Sequence, residues 1–289
     1  MKEFLKASYR EGVRILSYGL PDVVLFQSSL LLRRFGLGLK YVAAPAAVQR
    51  VADFLFYNLR YIRPALVRTH LRGEPFLIQM NDPCQYDLVL GIHEAEVVEW
   101  IVSDLKEGMT FVDIGPNVGY YTLLGARCVG TSGKIVALEP DPDVVAILRR
   151  NIEVNRVGNV HIVHGAASDA CGRAKLGRAR SSSYSTGLYC EDAVDWIEVP
   201  RYSLDAVINE LGIGAVDLVK LDVEGAELEV LEGMSQILRV NRPRVIMELH
   251  GRLDGTDPQP AVQKLKRVGY TVRHISQNHI VGEPTPDSK

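Results

Sequence analysis

From residue 110 onward, short apolar runs alternate with longer segments whose apolar positions recur every three or four residues. A short apolar run is typical of a buried strand, and the wider spacing is typical of a helix that covers one face of a sheet. The predicted strands are residues 110–114, 134–139, 160–163, 216–222 and 244–249. Strands separated by helices form a mostly parallel sheet with helices on both faces. The pattern therefore predicts a Rossmann-like α/β fold.

The segments between these strands carry signals for helices. Asp141 can cap the helix after the second strand, and Pro142 suits the first helical position. Further helices are predicted over residues 94–105 and 226–238. Residues 171–202 lack helical spacing, and we expect them to be irregular or β-rich.

The first 80 residues follow a different pattern. Apolar residues between Val48 and Ile62 recur at helical spacing, which is typical of an amphipathic helix. The apolar run at residues 23–32 is interrupted by polar residues and is shorter than the ~20 residues that a membrane span requires. We interpret it as a buried or membrane-surface helix. A short strand is predicted at residues 76–80.

This change of pattern divides the chain into a helical N-terminal region, residues 1–81, and a Rossmann-like domain, residues 82–289. Residues 1–80 contain 12 Lys and Arg against 5 Asp and Glu, a net charge of +7. Residues 81–289 contain 21 Lys and Arg against 30 Asp and Glu, a net charge of −9. Arg33 and Arg34 follow an apolar run, which suits the surface of an anionic membrane or a lipid-linked substrate. Packing of this region on the catalytic domain is the alternative.

Composition and cysteine spacing narrow the class of protein. The hydrophobic fraction is 47% and the charged fraction 24%, so wholesale disorder is excluded. The four cysteines form no CxxC pair, which excludes a zinc ribbon and a thioredoxin-type site. A chain of this length folds without disulfides, and no signal-peptide pattern opens it. We expect a cytoplasmic protein, with peripheral membrane contact through residues 1–80 as an open alternative.

A glycine-containing loop, residues 113–119, follows the first strand of the predicted sheet, at the edge where such sheets bind ligands. Gly115 permits a tight turn and Gly119 a close entry into the next helix. Asn117 replaces the glycine that lets a dinucleotide pyrophosphate approach the backbone. S-adenosylmethionine has no phosphate, and its ammonium and sulfonium groups suit Asp113. We predict an S-adenosylmethionine site here, with a glycine turn that binds nothing as the alternative.

Two further positions support this site. Glu139 ends the second strand, 26 residues after Asp113, where a carboxylate can hold both ribose hydroxyls. Ala167 lies in the loop after the third strand, where the adenine ring is expected. A glycine loop or an acidic residue at this spacing can each occur by chance. The two together in one βαβ unit occur by chance less often than either one alone.

A group of ionisable residues follows the fourth and fifth strands. Asp222 and Glu224 end the fourth strand, and Glu248 and His250 end the fifth. His250 is the first candidate for a general base, with Asp222 or Glu224 second. A divalent cation such as Mg²⁺ or Mn²⁺ on Asp222, Glu224 or Glu248 is a further way to acidify a hydroxyl group. Helix capping by the acids, and a hydrogen-bonded turn histidine, are the structural alternatives.

Residues 105–250 resemble the FkbM-type methyltransferases. The matching segments are residues 111–122, 137–140, 199–200, 203–205, 218–227 and 247–250. The resemblance implies the methyltransferase version of the fold, a mostly parallel seven-stranded sheet, and it implies S-adenosylmethionine as cofactor with Pro140 beside Glu139 in its site. It also implies methylation of hydroxyl groups on sugars, glycolipids or polyketide-like products. One departure is Pro116, where the family usually has alanine.

The sequence therefore predicts an O-methyltransferase for a small-molecule, glycan or lipid-linked acceptor. A nicotinamide oxidoreductase is opposed by the missing G-x-G-x-x-G pattern. An RNA methyltransferase is opposed by the acidic body, so a nucleic-acid partner is not expected. A non-catalytic binding protein with the same fold is the remaining alternative. The oligomeric state is not predicted.

Overall fold

The computed structural model describes residues 66–71, 74–79, 93–179, 186–188, 193–250 and 258–286. The chain divides into two compact units, residues 1–93 and 94–289. The predicted helices before residue 66, together with Arg33 and Arg34, lie outside the described residues.

The described part of the first unit is an antiparallel pair of strands, β1 (Leu66–Leu71) and β2 (Glu74–Gln79). Strand β2 confirms the strand predicted at residues 76–80. The helical prediction for residues 66–71 is wrong, because β1 is a strand. Val67 and Thr69 are β-branched at alternating positions, and such residues favour a pleated strand that has a partner.

The second unit alternates helices and strands. In chain order its elements are α1 (Ala95–Asp104), β3 (Thr110–Ile114), α2 (Tyr120–Val129), β4 (Lys134–Glu139), α3 (Pro142–Val154), β5 (Val160–His164), β6 (Ala166–Ala167), β7 (Gly172–Ala179), β8 (Thr186–Gly187), β9 (Ala193–Tyr202), α4 (Leu204–Glu210), β10 (Leu218–Leu221), α5 (Glu227–Gly233), α6 (Ser235–Val240), β11 (Arg244–Glu248), α7 (Gln259–Arg267), β12 (Tyr270–His274) and β13 (His279–Pro284).

Seven of these strands form the main sheet, in the order β12-β13-β11-β10-β3-β4-β5. The five strands from β11 to β5 are parallel, whereas β13 pairs antiparallel with both β11 and β12. This confirms the mostly parallel seven-stranded α/β sheet. All residues of β3 and β10 are buried, as expected for central strands that helices cover on both faces. The carboxyl ends of the parallel strands meet at one edge, which is where the site lies.

The helix predicted over residues 226–238 is divided at Met234 into α5 and α6. Gly233 ends α5 against the backbone of Ser168, where an added Cβ would lie 1.9 Å from the carbonyl oxygen. The carboxylate of Asp205 then accepts the backbone N–H groups of Gln236 and Ile237 at 2.9 and 3.0 Å. The break therefore comes from tertiary contacts that helical periodicity does not reveal.

A second sheet of four strands, in the order β6-β9-β7-β8, confirms the β-rich character predicted for residues 171–202. Strands β7 and β9 pair antiparallel around a small apolar cluster of Ala166, Leu176 and Val199. The predicted cap of α3 is confirmed, since Asp141 Oδ1 accepts the N–H of Asp143 at 2.9 Å with Pro142 in the first turn. Within the described ranges, no helix is both long enough and apolar enough to cross a membrane.

Candidate active site

The glycine loop after β3 has the close approaches that the sequence predicts. Gly115 has φ of 75°, and a Cβ there would lie 1.8 Å from the backbone oxygen of Asp222. Gly119 has φ of 93°, and its Cβ would lie 2.5 Å from Leu148 Cδ1. Only glycine fits both the left-handed backbone and the contact distance at these positions. Gly115 thus lets the loops after β3 and β10 meet, and Gly119 lets α2 pack against α3.

Glu139 is held by the glycine loop and by the start of α3. The backbone N–H groups of Asn117 and Asp141 donate to its two carboxylate oxygens, each at 3.1 Å. Only 5% of Glu139 is exposed. Burial raises the pKa of Glu139 to about 8, although the two backbone hydrogen bonds act in the opposite direction. The carboxyl group is therefore fixed in orientation and costly to ionise without a partner.

An open pocket, whose roughly 670 Å³ of empty space includes open solvent, lies at the ends of β3, β4 and β10, at the sheet edge where such folds bind ligands. Its walls include most of the predicted cofactor residues: Gly115, Asn117, Glu139, Pro140, Ala167 and Asp222. Glu224 also lines it. Leu176 and Leu188 of the β-rich segment close the apolar side. Sequence reasoning missed these two leucines, and the only signal for them was the β-rich character of their segment.

Asp113 lies beneath the loop rather than in the pocket wall. It is fully buried, and its Oδ2 accepts the hydroxyl of Thr122 at 2.6 Å. Burial raises the pKa of Asp113, and the charge of Lys220 opposes that shift. The predicted contact of Asp113 with a positively charged ligand stays a prediction, while the structure gives this residue a support role beneath the loop.

Lys220 is a functional candidate that the sequence reasoning missed. It lies in the fully buried strand β10, is 2% exposed, and donates from Nζ to Asp222 Oδ2 at 3.0 Å. Its ammonium also lies 4.8 Å from the centre of the Tyr121 ring. Burial lowers the pKa of Lys220, but the carboxylates of Asp222 and Asp113 have the larger effect and raise the pKa above its usual value. Lys220 therefore stays charged. A lysine within an otherwise apolar strand was the available signal.

The structure brings the three predicted catalytic residues together. His250 Nδ1 donates to Glu227 Oε1 at 2.9 Å, which fixes the ring. His250 Nε2 faces three other carboxylates, at 3.6 Å from Glu224, 3.6 Å from Glu248 and 3.8 Å from Asp222. We call these five residues the acidic cluster. Glu227, buried in the first turn of α5, is the member that the sequence reasoning did not select.

The charges of the acidic cluster act on each other. Burial lowers the pKa of His250, but the hydrogen bond to Glu227 and the charges of Glu224, Asp222 and Glu248 outweigh it and raise the pKa to about 9. Burial raises the pKa of Glu224 to about 7. His250 is thus an imidazolium at neutral pH, whereas Glu224 titrates where a general base works best.

Among the residues that the structure describes, two groups offer metal-ligand atoms that lie within 4.8 Å of one another. The first group is Asp222, Glu224 and His250. The second group is Glu94, Glu248 and His279. Both groups lie around the end of β11. Glu248 lies close to both, since its two carboxylate oxygens lie near His250 and His279. Glu94 and His279 were not selected from the sequence, because they lie far apart in the chain and outside any motif.

The sheet order, the glycine loop and the acid that ends β4 define a Rossmann-like methyltransferase. The profile of the family described as "Methyltransferase FkbM domain" matches residues 113–272, more than half of the chain. The chain belongs to the FkbM methyltransferase family. It is a methyltransferase of the S-adenosylmethionine-dependent type, and the resemblance in the sequence is confirmed.

The individual relatives share only limited sequence identity with this chain. Hexuronic acid methyltransferase AglP of Haloferax volcanii is 25% identical over 174 residues, covering 60% of this chain and 69% of AglP. Methyltransferase 1 of Beauveria bassiana is 30% identical over 201 residues, covering 59% of this chain and 76% of the relative. The crystal structure of methyltransferase FkbM from Methylobacillus flagellatus KT has a TM-score of 0.45 and 15% identity. That comparison covers 91% of this chain but 59% of the other.

Proposed function

We propose that this protein transfers the methyl group of S-adenosylmethionine to a hydroxyl oxygen of a sugar or another small acceptor. One observation carries the proposal. The pocket that contains Gly115 and Glu139 shares two wall residues, Asp222 and Glu224, with the acidic cluster around His250. Groups that accept a proton therefore lie at the edge of the pocket for the methyl donor.

The residues of the pocket fit S-adenosylmethionine. The glycine loop leaves room beside Gly115 and Asn117, and Glu139 presents two oriented oxygens that retain free lone pairs for ribose hydroxyls. Apolar side chains of Val144 and Leu176 supply a wall for a flat ring. The bound cofactor would supply an electrophilic methyl group at the mouth of this pocket.

The acidic cluster then handles the proton of the acceptor. A neutral hydroxyl is a weak nucleophile until its proton is removed, and a base with a pKa near the working pH removes it best. Its position at the end of the fifth predicted strand makes His250 the first candidate for this base. Its raised pKa favours Glu224, with Asp222 beside it, as the proton acceptor at neutral pH. His250 keeps these carboxylates close together by its positive charge.

A divalent cation on Asp222, Glu224 or Glu248 is the other way in which the same residues would acidify a hydroxyl group. It would replace the positive charge that His250 supplies in the structure. The two versions differ in one respect, since only the cation version loses activity with a chelator and regains it with Mg²⁺ or Mn²⁺.

The class of acceptor is supported by a relative. AglP is named a hexuronic acid methyltransferase, and it aligns with this chain over 174 residues. A sugar acid presents several hydroxyl groups and one carboxylate. We therefore place a sugar or sugar acid, free or lipid-linked, first among the acceptors.

The test is transfer of a labelled methyl group. The full chain is incubated with S-adenosylmethionine labelled in the methyl group, and with a panel of uronic acids, their glycolipids and a fractionated small-molecule extract. We expect the label in an O-methylated sugar. Label found only in RNA or in an amine would overturn the assignment of the acceptor. Lack of S-adenosylmethionine binding in calorimetry would overturn the proposal as a whole.

A further inference from the structure

We infer that Glu94, Glu248 and His279 form a binding site for a divalent transition-metal ion with the coordination habits of Zn²⁺. The three side chains come from three elements of the second unit: the residue before α1, the end of β11 and the start of β13. We call them the β11–β13 site. It lies beside the acidic cluster and contains two residues, Glu94 and His279, that have no part in the proposed methyl transfer.

The distances between donor atoms suit a metal ion. His279 Nε2 lies 3.4 Å from Glu94 Oε2 and 3.6 Å from Glu248 Oε2. Ligand atoms about 2.1 Å from a tetrahedral metal ion are about 3.4 Å apart. The same distances are longer than a normal hydrogen bond, although they are also within the range of an ion pair, so the spacing leaves room for an ion between the three groups.

The imidazole of His279 provides independent support. His279 is 6% exposed, and within the part of the chain that the structure describes its Nε2 has no hydrogen-bond partner. A buried nitrogen in that state is costly, and native structures rarely leave one without a function. This nitrogen points at two carboxylates, which is the arrangement that a bound cation would satisfy.

Neighbouring groups hold the donor atoms in orientation. Ser276 Oγ lies 3.0 Å from His279 Nδ1, so this nitrogen can carry the proton and leave Nε2 as the ligand. The hydroxyl of Tyr121 donates to Glu94 Oε2 at 2.6 Å. Metal-binding histidines and carboxylates in proteins have supporting hydrogen bonds of this kind.

The backbone fixes the relative position of two ligands. Glu248 and His279 are direct partners across the antiparallel pair β11–β13. Residues paired in this way keep a constant spacing because the ladder holds both Cα atoms. Glu94 completes the site from a left-handed backbone position with φ of 40°, which is uncommon for a residue other than glycine and is often kept at functional positions.

The donor set points to the class of ion. One imidazole and two carboxylates suit Zn²⁺ or a similar first-row metal better than Mg²⁺ or Ca²⁺, which prefer oxygen ligands alone. Three protein ligands leave a fourth tetrahedral position open. The other oxygen of Glu248 lies 3.6 Å from His250 Nε2, so the ion would lie next to the acidic cluster.

The test measures metal binding by the full chain without a methyl donor, so its outcome is independent of the proposed transfer reaction. Zn²⁺ affinity is measured by calorimetry, and Co²⁺ is used as a visible-absorption probe of tetrahedral coordination. The ligand variants are Glu94→Gln and His279→Gln. The control variants are Glu224→Gln and His250→Gln, which remove a carboxylate and an imidazole from the neighbouring acidic cluster.

We expect one Zn²⁺ per chain and a tetrahedral Co²⁺ spectrum. Each ligand variant should weaken Zn²⁺ binding at least about 10-fold, because even supporting residues have effects of that size. Each control variant should leave binding nearly unchanged. Circular dichroism checks folding. Glu94→Gln keeps an acceptor for Tyr121 and so tests the site even if His279→Gln does not fold.

Three results would overturn the inference. The first is no Zn²⁺ binding by the wild type, which would leave these three side chains with a purely structural role. The second is unchanged binding in a folded Glu94→Gln. The third is binding lost in Glu224→Gln or His250→Gln and kept in Glu94→Gln, which would place the ion in the acidic cluster.

Discussion

The proposed cofactor pocket and the acidic cluster are built in different ways. The pocket between β3 and β4 depends on backbone geometry, with Gly115 and Asn117 in left-handed conformations and Glu139 fixed by two backbone N–H groups. The acidic cluster depends on side-chain charges, with His250 surrounded by four carboxylates from the loop after β10, from α5 and from β11.

The difference suits the separate roles that we propose for the two regions, cofactor binding and proton transfer. A pocket formed by backbone holds one ligand in one place, which suits a cofactor that is the same in every turnover. A cluster of coupled charges adjusts its protonation when a partner arrives, which suits proton transfer from an acceptor. Variants in the two regions should therefore fail in different ways.

The largest effect is expected in the acidic cluster. His250→Ala removes the positive charge that holds Asp222 and Glu224 together and that lowers the pKa of Glu224, so the proposed base Glu224 is impaired and we expect kcat to fall about 10²–10⁴-fold. The affinity for S-adenosylmethionine should stay nearly the same. Single-turnover kinetics and calorimetry measure the two quantities. His161→Ala, which removes an exposed histidine of β5, is the matched control. A His250→Ala variant that retains most of its kcat would contradict the role of the cluster.

The next effect concerns folding of the pocket. Gly115→Ala places a Cβ 1.8 Å from the backbone oxygen of Asp222 at a φ of 75°. We expect a loss of at least about 3 kcal/mol in the free energy of unfolding, because both the contact and the backbone are strained. Urea denaturation measures it. Gly158→Ala has open space around its Cβ and should change stability by less than about 1 kcal/mol. Equal stability of the two variants would show that the loops do not meet as described.

The third effect concerns the cofactor. Ribose hydroxyls that donate to Glu139 favour its ionised form, so Glu139→Ala removes a charge-assisted hydrogen bond, which contributes about 1.5–3 kcal/mol. We expect the dissociation constant of S-adenosylmethionine to rise about 10- to 150-fold in calorimetry. The exposed acid Glu153, changed to alanine, is the control and should have no effect. Unchanged affinity in Glu139→Ala would remove this residue from the cofactor site.

The smallest effect is a dependence of stability on pH. Burial raises the pKa of Glu139 from 4.5 to about 8, so the folded state binds more protons than the unfolded state between these values. Stability from this group is complete below pH 4.5 and is lost as pH rises through 8. Between pH 6 and 7 we expect it to contribute a loss of about 1 kcal/mol, absent in Glu139→Gln. Denaturation of both proteins at the two pH values measures it. Identical slopes would mean that Glu139 ionises normally in the folded protein.

The strands of the main sheet were predictable because their signals are local. The strands predicted at residues 110–114 and 134–139 match β3 and β4. Gly115 and Glu139 could be selected from the sequence because they lie at the ends of these two strands. The same reasoning failed for residues 66–71. Their alternating β-branched residues form a strand because they pair with β2, and the local sequence does not reveal that pairing. Periodicity reports the burial of a face, and it does not report what a segment pairs with.

Residues whose role depends on distant contacts could not be predicted. Asp113 faces inward to Thr122 and Lys220 because α2 and β10 pack around it. Glu94 and His279 meet only because β13 inserts beside β11 in the antiparallel direction. The pKa of His250 likewise reflects charges from three elements, so its protonation state could not be deduced from its position at a strand end.

We propose that one pocket holds the methyl donor and that the adjacent cluster directs the methyl group to oxygen. The most direct measurement is nuclear magnetic resonance of the product formed from S-adenosylmethionine carrying a ¹³C-methyl group, with a uronic acid as acceptor. The account predicts a new methyl signal bonded to oxygen on the sugar ring, formed by the wild type and strongly reduced in His250→Ala. A methyl group bonded to nitrogen or carbon, or an oxygen-linked product formed equally fast by His250→Ala, would contradict it.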